Sequence, residues 1–406
     1  MSNFFGIIGV FTLLFIAYIL SENRESINKK TVGYGLLFQF MFALFILKTP
    51  FGAPIFSFLD SAINTLINFS TYGSDFLFRS YVEGVGFHPS LINFAFSTLP
   101  TIIFFSSLVA VLYHFGILQM IIRFIAQQMQ LTLGTSGSET LSVAGNIFLG
   151  QTESPLMVKP FVKNMTKSEL MAVMTGGFAT VSGGVLAIYV SWLSDIPGIA
   201  GHLLAASVMS APAALVIAKI IYPENEKSET AGNINVTIKQ NNINAMEALS
   251  NGATDGLKLA ANIAAMLIAF ISFVAMINYF LAFAGTSLEE IFGLIFRPLA
   301  WTMGVPWDEA QLIGMLMGKK IVLTELIAYG DLQNLINDKL ISDRSAIIAT
   351  YALCGFSNFA SIGIQLGGIG AMAPERKKDL AKLVTKAMFG GALASWLTAT
   401  IAGILI

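Results

Sequence analysis

The chain is poor in charge. Asp, Glu, Lys and Arg together make up only 12% of its 406 residues, against roughly 25% in soluble globular domains. That is too little to coat a soluble surface of this size. Cysteine is nearly absent as well: Cys354 stands alone, which excludes an internal disulfide and any cysteine-based zinc cluster. The three histidines, His88, His114 and His202, are scattered with no HExxH spacing, so a metalloenzyme reading has no ligand set. A net charge of −1 leaves no basic field for nucleic acid.

What the chain has in abundance is apolar sequence, with 55% hydrophobic residues. The runs at 4–20 and 259–285 come close to or exceed the ~20 residues that span a bilayer. The first lacks a basic leading region and a small-residue cleavage pattern, and another apolar run follows at once. It is therefore expected to be a retained span rather than a signal peptide. Further spans are expected at 32–48, 92–122, 169–194, 200–222, 345–371 and 383–405, making eight. Residues 49–84 mix apolar and polar types and are expected to lie along a membrane surface. Residues 223–256 are polar and Asn-rich, an aqueous loop that divides the chain into halves.

Basic residues orient the spans, because cytoplasmic flanks carry the excess of Lys and Arg. Arg24, Lys29 and Lys30 follow the first span, Lys159, Lys163 and Lys167 precede the span at 169, and Arg376, Lys377, Lys378, Lys382 and Lys386 precede the last. Eight crossings with both termini outside fit this pattern. Two further segments, 138–165 and 309–337, have an apolar arm, a polar centre beside glycine, and a second apolar arm. Neither arm is long enough to cross alone, so each is expected to be a re-entrant helical hairpin, whose turn is tolerated at membrane depth only when buried in protein or lining a wet cavity. "GGFATVSGGVLA" (176–187) follows the first hairpin and "CGFSNFASIGIQ" (354–365) the second, with Gly177-Phe178 matched by Gly355-Phe356. Each half thus reads hairpin, broken span, whole span: an inverted repeat, with a binding site expected at the midplane between broken helices.

The chemistry-bearing residues cluster at the hairpin turns. In "NIFLGQTESPLMVKP" (146–160), Gly150 supplies a tight turn and Pro155 suits the first turn of the returning helix. Between them Gln151 offers both donor and acceptor, Thr152 a hydroxyl to cap the returning helix, and Glu153 a carboxylate at its positive end. Such a set reads a ligand edge that both donates and accepts, as a nucleobase does; a self-satisfied cap with no ligand is the bland alternative. Carboxylates inside a membrane are costly and by default mark function. In the second half "GKKIVLTELIAY" (318–329) places Thr324 and Glu325 at the turn, and "GFSNFAS" offers Phe356, Asn358 and Ser361. A carboxylate with an amide can hold a vicinal diol, as in ribose, through charge-assisted hydrogen bonds. Phe356 would give an apolar face, although ordinary packing explains it nearly as well. Lys319 and Lys320 are not expected to be substrate ligands; one of them pairs with a carboxylate or sits at an aqueous rim. A desolvated cation would find carbonyls near Asn146 and Leu149 facing Thr180 and Val181.

"GNIFLGQTESPLMVKPF", "GGFATVSGGVLA", "LTELIAY" and "GFSNFASIGIQLGG", in this order, resemble the concentrative nucleoside transporter family, from about residue 90 onward. The resemblance implies a homotrimer of subunits, each with a scaffold and a mobile transport domain, importing nucleosides on a cation gradient. It implies that Gly150, Gln151, Thr152 and Glu153, with Val185, contact the base, that Glu325, Asn358 and Ser361 hold the ribose with Phe356 beside them, and that Asn146, Leu149, Thr180 and Val181 hold sodium. The expected fold is therefore an all-α polytopic membrane protein of eight transmembrane helices and two re-entrant hairpins. The expected layout is scaffold spans at 1–125, a first transport repeat at 126–222, a cytoplasmic loop at 223–256, a scaffold span at 257–285 and a second transport repeat at 286–406. The expected function is sodium-coupled nucleoside symport, uridine for example, across the cell inner membrane, with membrane lipid around a trimer, no enzymatic activity and no cofactor besides the coupling ion. A proton-coupled transporter of the same fold is the nearest alternative. A nucleoside receptor that does not translocate, or an intramembrane hydrolase using the two carboxylates, is the more distant one.

Overall fold

The computed structural model describes residues 2–50, 52–78, 95–96, 99–232 and 242–406, and all regular structure among them is helical. Helices α1 (Ser2–Ile19), α2 (Lys29–Lys48) and α3 (Gly52–Phe78) come first. Asn28 caps α2, its Oδ1 accepting from the N–H groups of Lys30 and Thr31. Part of the expected surface segment 49–84 and of the expected span 92–122, and His88, lie outside the described residues. The described part of that span corrects the expectation: α4 (Leu99–His114) ends two residues before Gly116, which is left-handed at φ 78°. Helix α5 (Ile117–Leu133) then leaves at 77°. The bend was hidden because α5 opens on "ILQMII", which prolongs the apolar run without a break.

The first hairpin enters by α6 (Gly137–Gly145) and leaves by a 3₁₀ turn (Ser154–Val158) running into the short α7 (Lys159–Val162). Next come α8 (Lys167–Ala179) and α9 (Gly183–Trp192), two half-helices separated at 180–182, and the unbroken α10 (Ile199–Ile221). Helix α11 (Ala245–Ala282) begins well before the expected span start at 259, because Asn244 caps it by accepting from the Glu247 N–H. The polar loop correspondingly ends at 244 rather than 256. Helix α12 (Leu288–Thr302) is followed by the second hairpin, α13 (Trp307–Val322) and α14 (Glu325–Asn337). Then α15 (Asp343–Leu353) and α16 (Phe359–Met372) are separated at 354–358, and α17 (Lys377–Leu405) is unbroken. The order hairpin, broken pair, whole helix thus recurs. Among the described residues five helical segments are long and apolar enough to cross a bilayer, or six when the bent α4–α5 pair counts as one.

Two sets of helix contacts stand out. Helix α4 lies along α11, where Gly252 and Gly256 form a small-xxx-small stripe: a Cβ on either would come within 2.7 Å of α4 backbone. Helices α1 and α2 lie instead against α17 and α10, and Gln39 of α2 donates to Thr398 Oγ1 of α17 at 2.9 Å. The repeat elements α8, α9, α10 and α17 are closed in by protein, whereas only 11% of the apolar window of α11 is buried within the chain.

The base of the first hairpin is held by a buried polar cluster. Lys219 Nζ of α10 pairs with Glu139 at 2.8 Å, and both are nearly inaccessible. Glu169 Oε1 accepts from Ser136 at 2.6 Å, Ser138 at 3.1 Å and Ser228 at 2.6 Å. Removing one partner of such a pair strands the other charge. Lys219→Met is expected to cost about 3–5 kcal/mol and to lower the thermal midpoint of the detergent-solubilised protein; the double variant Lys219→Met/Glu139→Gln recovers part of it. A single variant melting with the parent would contradict this account.

Candidate ligand site at the hairpin tips

The two breaks meet. Gly355, in the break between α15 and α16, has φ 97°, and a Cβ on it would lie 2.6 Å from the backbone of Phe178 and Ala179 at the end of α8. Both the left-handed backbone and the close approach demand glycine there. Ser357 Oγ crosses the same contact, donating to Phe178 O at 2.8 Å. The matched Gly-Phe pairs are consequently not in equivalent places. Gly177-Phe178 closes the last turn of α8, while Gly355-Phe356 forms the second break itself.

Each hairpin tip reaches this junction. Gln151 is buried, and its Nε2 donates to Ser361 Oγ of α16 at 3.2 Å. Its Oε1 accepts from Gln365 Nε2 at 3.1 Å, and Gln365 also donates to Met174 O of α8 at 3.1 Å. From the other side, Glu325 stands at the start of α14, 5% exposed. One of its oxygens accepts from Asn358 Nδ2 at 2.8 Å and the other from Tyr189 OH at 3.1 Å. Asn358 caps α16 through Oδ1, which takes the Ser361 N–H at 2.8 Å. A continuous polar chain therefore runs Gln365, Gln151, Ser361, Asn358, Glu325, Tyr189, joining residues distant in sequence inside an apolar shell.

The predicted set divides around this chain. Gln151, Glu325, Asn358 and Ser361 are brought together. Glu153 faces the other way, exposed, into a cavity of about 790 Å³ that Leu149, Ser182 and Asp255 also line. The volume suits a small organic ligand, which typically takes about 300–1,000 Å³. Glu153 is turned back on its own loop, with the Gly150 N–H donating to its Oε2 at 3.0 Å. Thr152 does not cap the returning arm as expected. That arm begins as a 3₁₀ turn with Pro155 near its start and no side-chain cap, because the loop descends helically from Glu153 and leaves no extended capping position. In the second hairpin the equivalent threonine does cap: Thr324 Oγ1 accepts from the Ile327 N–H at 3.4 Å. Val185 is buried in the first turn of α9, and Phe356 is half-buried in the second break.

The two stretches expected around a cation are tied together. Phe148 O accepts from the Gly183 N–H at 3.1 Å, tying the stretch that holds Asn146 and Leu149 to the break that holds Thr180 and Val181. Asn146 is 1% exposed, and both polar atoms of its amide lack a hydrogen-bond partner. A buried amide left unpaired costs about 1–3 kcal/mol, so this donor set suits a bound cation that takes the amide oxygen. Thr180 Oγ1 is itself engaged with Gly176 O at 2.9 Å.

Sequence reasoning missed Gln365, Tyr189 and Tyr329. Tyr329 stacks on Tyr189 with ring centroids 4.1 Å apart and donates to Thr350 O at 2.7 Å. A helical-spacing signal existed: Gln365 lies four residues after Ser361, and Tyr189 four after Val185, each on the same helix face. Lys319, left open above, pairs with Asp331 at 2.7 Å and Glu289 at 3.0 Å.

Comparison with known proteins places this geometry in a family. Three family descriptions match: "Na+ dependent nucleoside transporter N-terminus" over residues 8–81, "Nucleoside recognition" over 95–195, and "Na+ dependent nucleoside transporter C-terminus" over 202–403. An uncharacterized transporter of Bacillus subtilis (strain 168) is 41% identical over the full length of both chains. Sodium/nucleoside cotransporter 2 of Rattus norvegicus is 40% identical over 98% of this chain, which spans 62% of that longer relative. Solved structures of CNTnw in an inward-facing substrate-bound state and of a doubly substituted CNTnw variant in an outward-facing state are 38% and 37% identical. Their TM-scores are 0.92 and 0.91, covering 100% of this chain and 98% of each of theirs. The chain belongs to the concentrative, Na+-dependent nucleoside transporter family, membrane transporters and not enzymes.

Proposed function

We propose that the chain is a sodium-coupled symporter that imports nucleosides across the cell inner membrane by alternating access, as a homotrimer of eight-span subunits with the orientation deduced from its basic flanks. The observation that carries this reading is the polar chain at the crossing of the two breaks. It sets an amide from the first hairpin, Gln151, and a carboxylate from the second, Glu325, against the amides of Gln365 on α16 and Asn358 at its start, at a depth where unpaired polar groups are costly. Gln151, with Gly150, Thr152, Glu153 and Val185, takes the base edge. Glu325, Asn358 and Ser361 take the ribose hydroxyls, with Phe356 alongside.

In the described arrangement these groups hold one another, and the cavity reaches Glu153 and Leu149 without having Gln151 or Glu325 on its wall. A nucleoside entering from the cavity exchanges the Gln151–Ser361 hydrogen bond for bonds to itself, so little polar surface is left unpaired at any stage. Sodium sits at Asn146, Leu149, Thr180 and Val181, where it satisfies the Asn146 amide oxygen and orders the first tip against the first break. Base binding is then complete only with the ion present. The exposed apolar residues of α11, among them Ile268 at 71% and Tyr279 at 66%, are covered by lipid and by neighbouring subunits. Helices α4 and α11 belong to the static scaffold, against which the repeats move.

Labelled-uridine uptake into proteoliposomes, with sodium and proton gradients imposed separately, tests the coupling. Sodium alone is expected to drive accumulation, and uridine affinity is expected to fall when choline replaces sodium. Uptake driven by acid pulses without sodium would instead establish proton coupling.

Two substitutions separate base from sugar. Glu325→Gln is expected to weaken ribonucleoside binding by about 1.5–3 kcal/mol, the range for a hydrogen bond to a charged group, and deoxynucleoside binding by less. Equal losses for both sugars would contradict the ribose assignment. Gln151→Ala is expected to change the preference among bases, read as a ratio of uptake rates, while the sugar requirement stays in place.

A further inference from the structure

Lys320 is the least expected side chain in the second hairpin. It lies in the last turn of α13, is 0% exposed, and its ammonium donates to Cys354 O at 2.7 Å and Ala352 O at 3.0 Å. These carbonyls end the half-helix α15, where orphan C=O groups concentrate partial negative charge. Capping alone needs no charge there: Ser395 Oγ of α17 already donates to Cys354 O at 2.6 Å. A buried ammonium at membrane depth is expensive and by default marks function, so its presence calls for a role that a neutral cap does not fill.

The first repeat offers the comparison. There the end of the hairpin's first arm also stands against the end of the first half-helix: Asn146 follows α6, and Thr180 closes α8 as Cys354 closes α15. The whole helix of each repeat sends a serine to the break, Ser207 of α10 accepting from the Val181 N–H at 3.3 Å and Ser395 of α17 donating to Cys354 O. One difference stands out. The stretch 144–150, "AGNIFLG", holds no basic residue and places the unpartnered Asn146 amide at this point, whereas the second repeat places Lys320.

We propose that the Lys320 ammonium is a covalently held counterpart of the coupling cation. The repeat duplicates a cation site between hairpin tip and broken helix; the first copy takes an exchangeable ion, and the second holds its positive charge on the Lys320 side chain. The reading of the first copy rests on Asn146 as the sodium site. The role of Lys320 does not, because it is tested by whether a small cation substitutes for the side chain.

The experiment compares the wild type with Lys320→Ser, which opens the space before the Ala352 and Cys354 carbonyls, and Lys320→Met, which fills it without charge. Sodium or choline chloride is the added salt, and the readouts are thermal midpoint and uridine binding. Lys320→Ser is expected to gain a sodium-dependent rise in thermal midpoint beyond that of the wild type, and its uridine binding is expected to depend more steeply on sodium, with a Hill coefficient rising toward two. Lys320→Met is expected to lose about tenfold or more in uridine affinity, the effect of a missing charge-assisted bond, with no recovery in sodium. The proposal is overturned if Lys320→Met binds as the wild type does. It is equally overturned if Lys320→Ser gains no sodium dependence, or if Lys320→Ser fails to fold even in concentrated sodium chloride, since the ion should replace the missing charge. Wild-type binding that ignores sodium would defeat the Asn146 reading, while the gain in Lys320→Ser would still decide the role of Lys320.

Discussion

Broken helices at membrane depth leave backbone carbonyls and N–H groups that lipid cannot satisfy, and the organisation of this protein follows from how those groups find partners. The second break packs on the end of α8, and neighbouring helices supply the other partners. Gly355 lets the second approach the end of the first, Ser357 takes a carbonyl of α8, and Lys320 and Ser395 take those of α15. Because the partners come from both halves, the hairpins and half-helices of both halves converge on one point. The polar side chains that line that point, from Gln365 to Tyr189, are then close enough to form a single chain. Packing, polar satisfaction and the candidate site are the same set of contacts seen at different scales.

The same constraint explains why the site is poised rather than open. Every member of the polar chain has a partner in the absence of ligand, Glu325 through Asn358 and Tyr189, Gln151 through Ser361 and Gln365. Exchange of partners is cheaper than exposure of unpaired groups, so a ligand that both donates and accepts can enter by replacing bonds one at a time. Asn146, outside this chain, is buried with neither polar atom of its amide partnered, which is why the proposed ion is assigned there. At the other end of the hairpin the Glu139–Lys219 pair and the hydroxyls around Glu169 fix the base, so the tip is aimed from a rigid mount.

Much of this was legible in the sequence. Polar residues with glycine and proline in "FLGQTESP" and "LTELIAY", inside apolar runs, have few physical readings other than re-entrant turns, and both turns lie where they were expected. Helix ends were harder to read. The bend between α4 and α5 falls at Gly116 between two apolar stretches, and hydrophobicity alone carries no record of direction. The early start of α11 depends on the Asn244 cap in a region whose polarity suggests loop. Gln365 and Tyr189 escaped notice because a lone polar residue in a helix is informative only once its facing partner is known. Lys320 was visible but unassigned, since its meaning depends on carbonyls at Ala352 and Cys354 that a sequence does not place.

The central claim is that the tips of both hairpins and the two breaks form one ligand pocket. A density map of the protein with uridine and sodium bound tests it most directly. The account predicts the base against Gln151, the ribose against Glu325 and Asn358, and an ion beside Asn146. Nucleoside density confined to the cavity near Asp255, with the Glu325–Asn358 pair untouched, would contradict it.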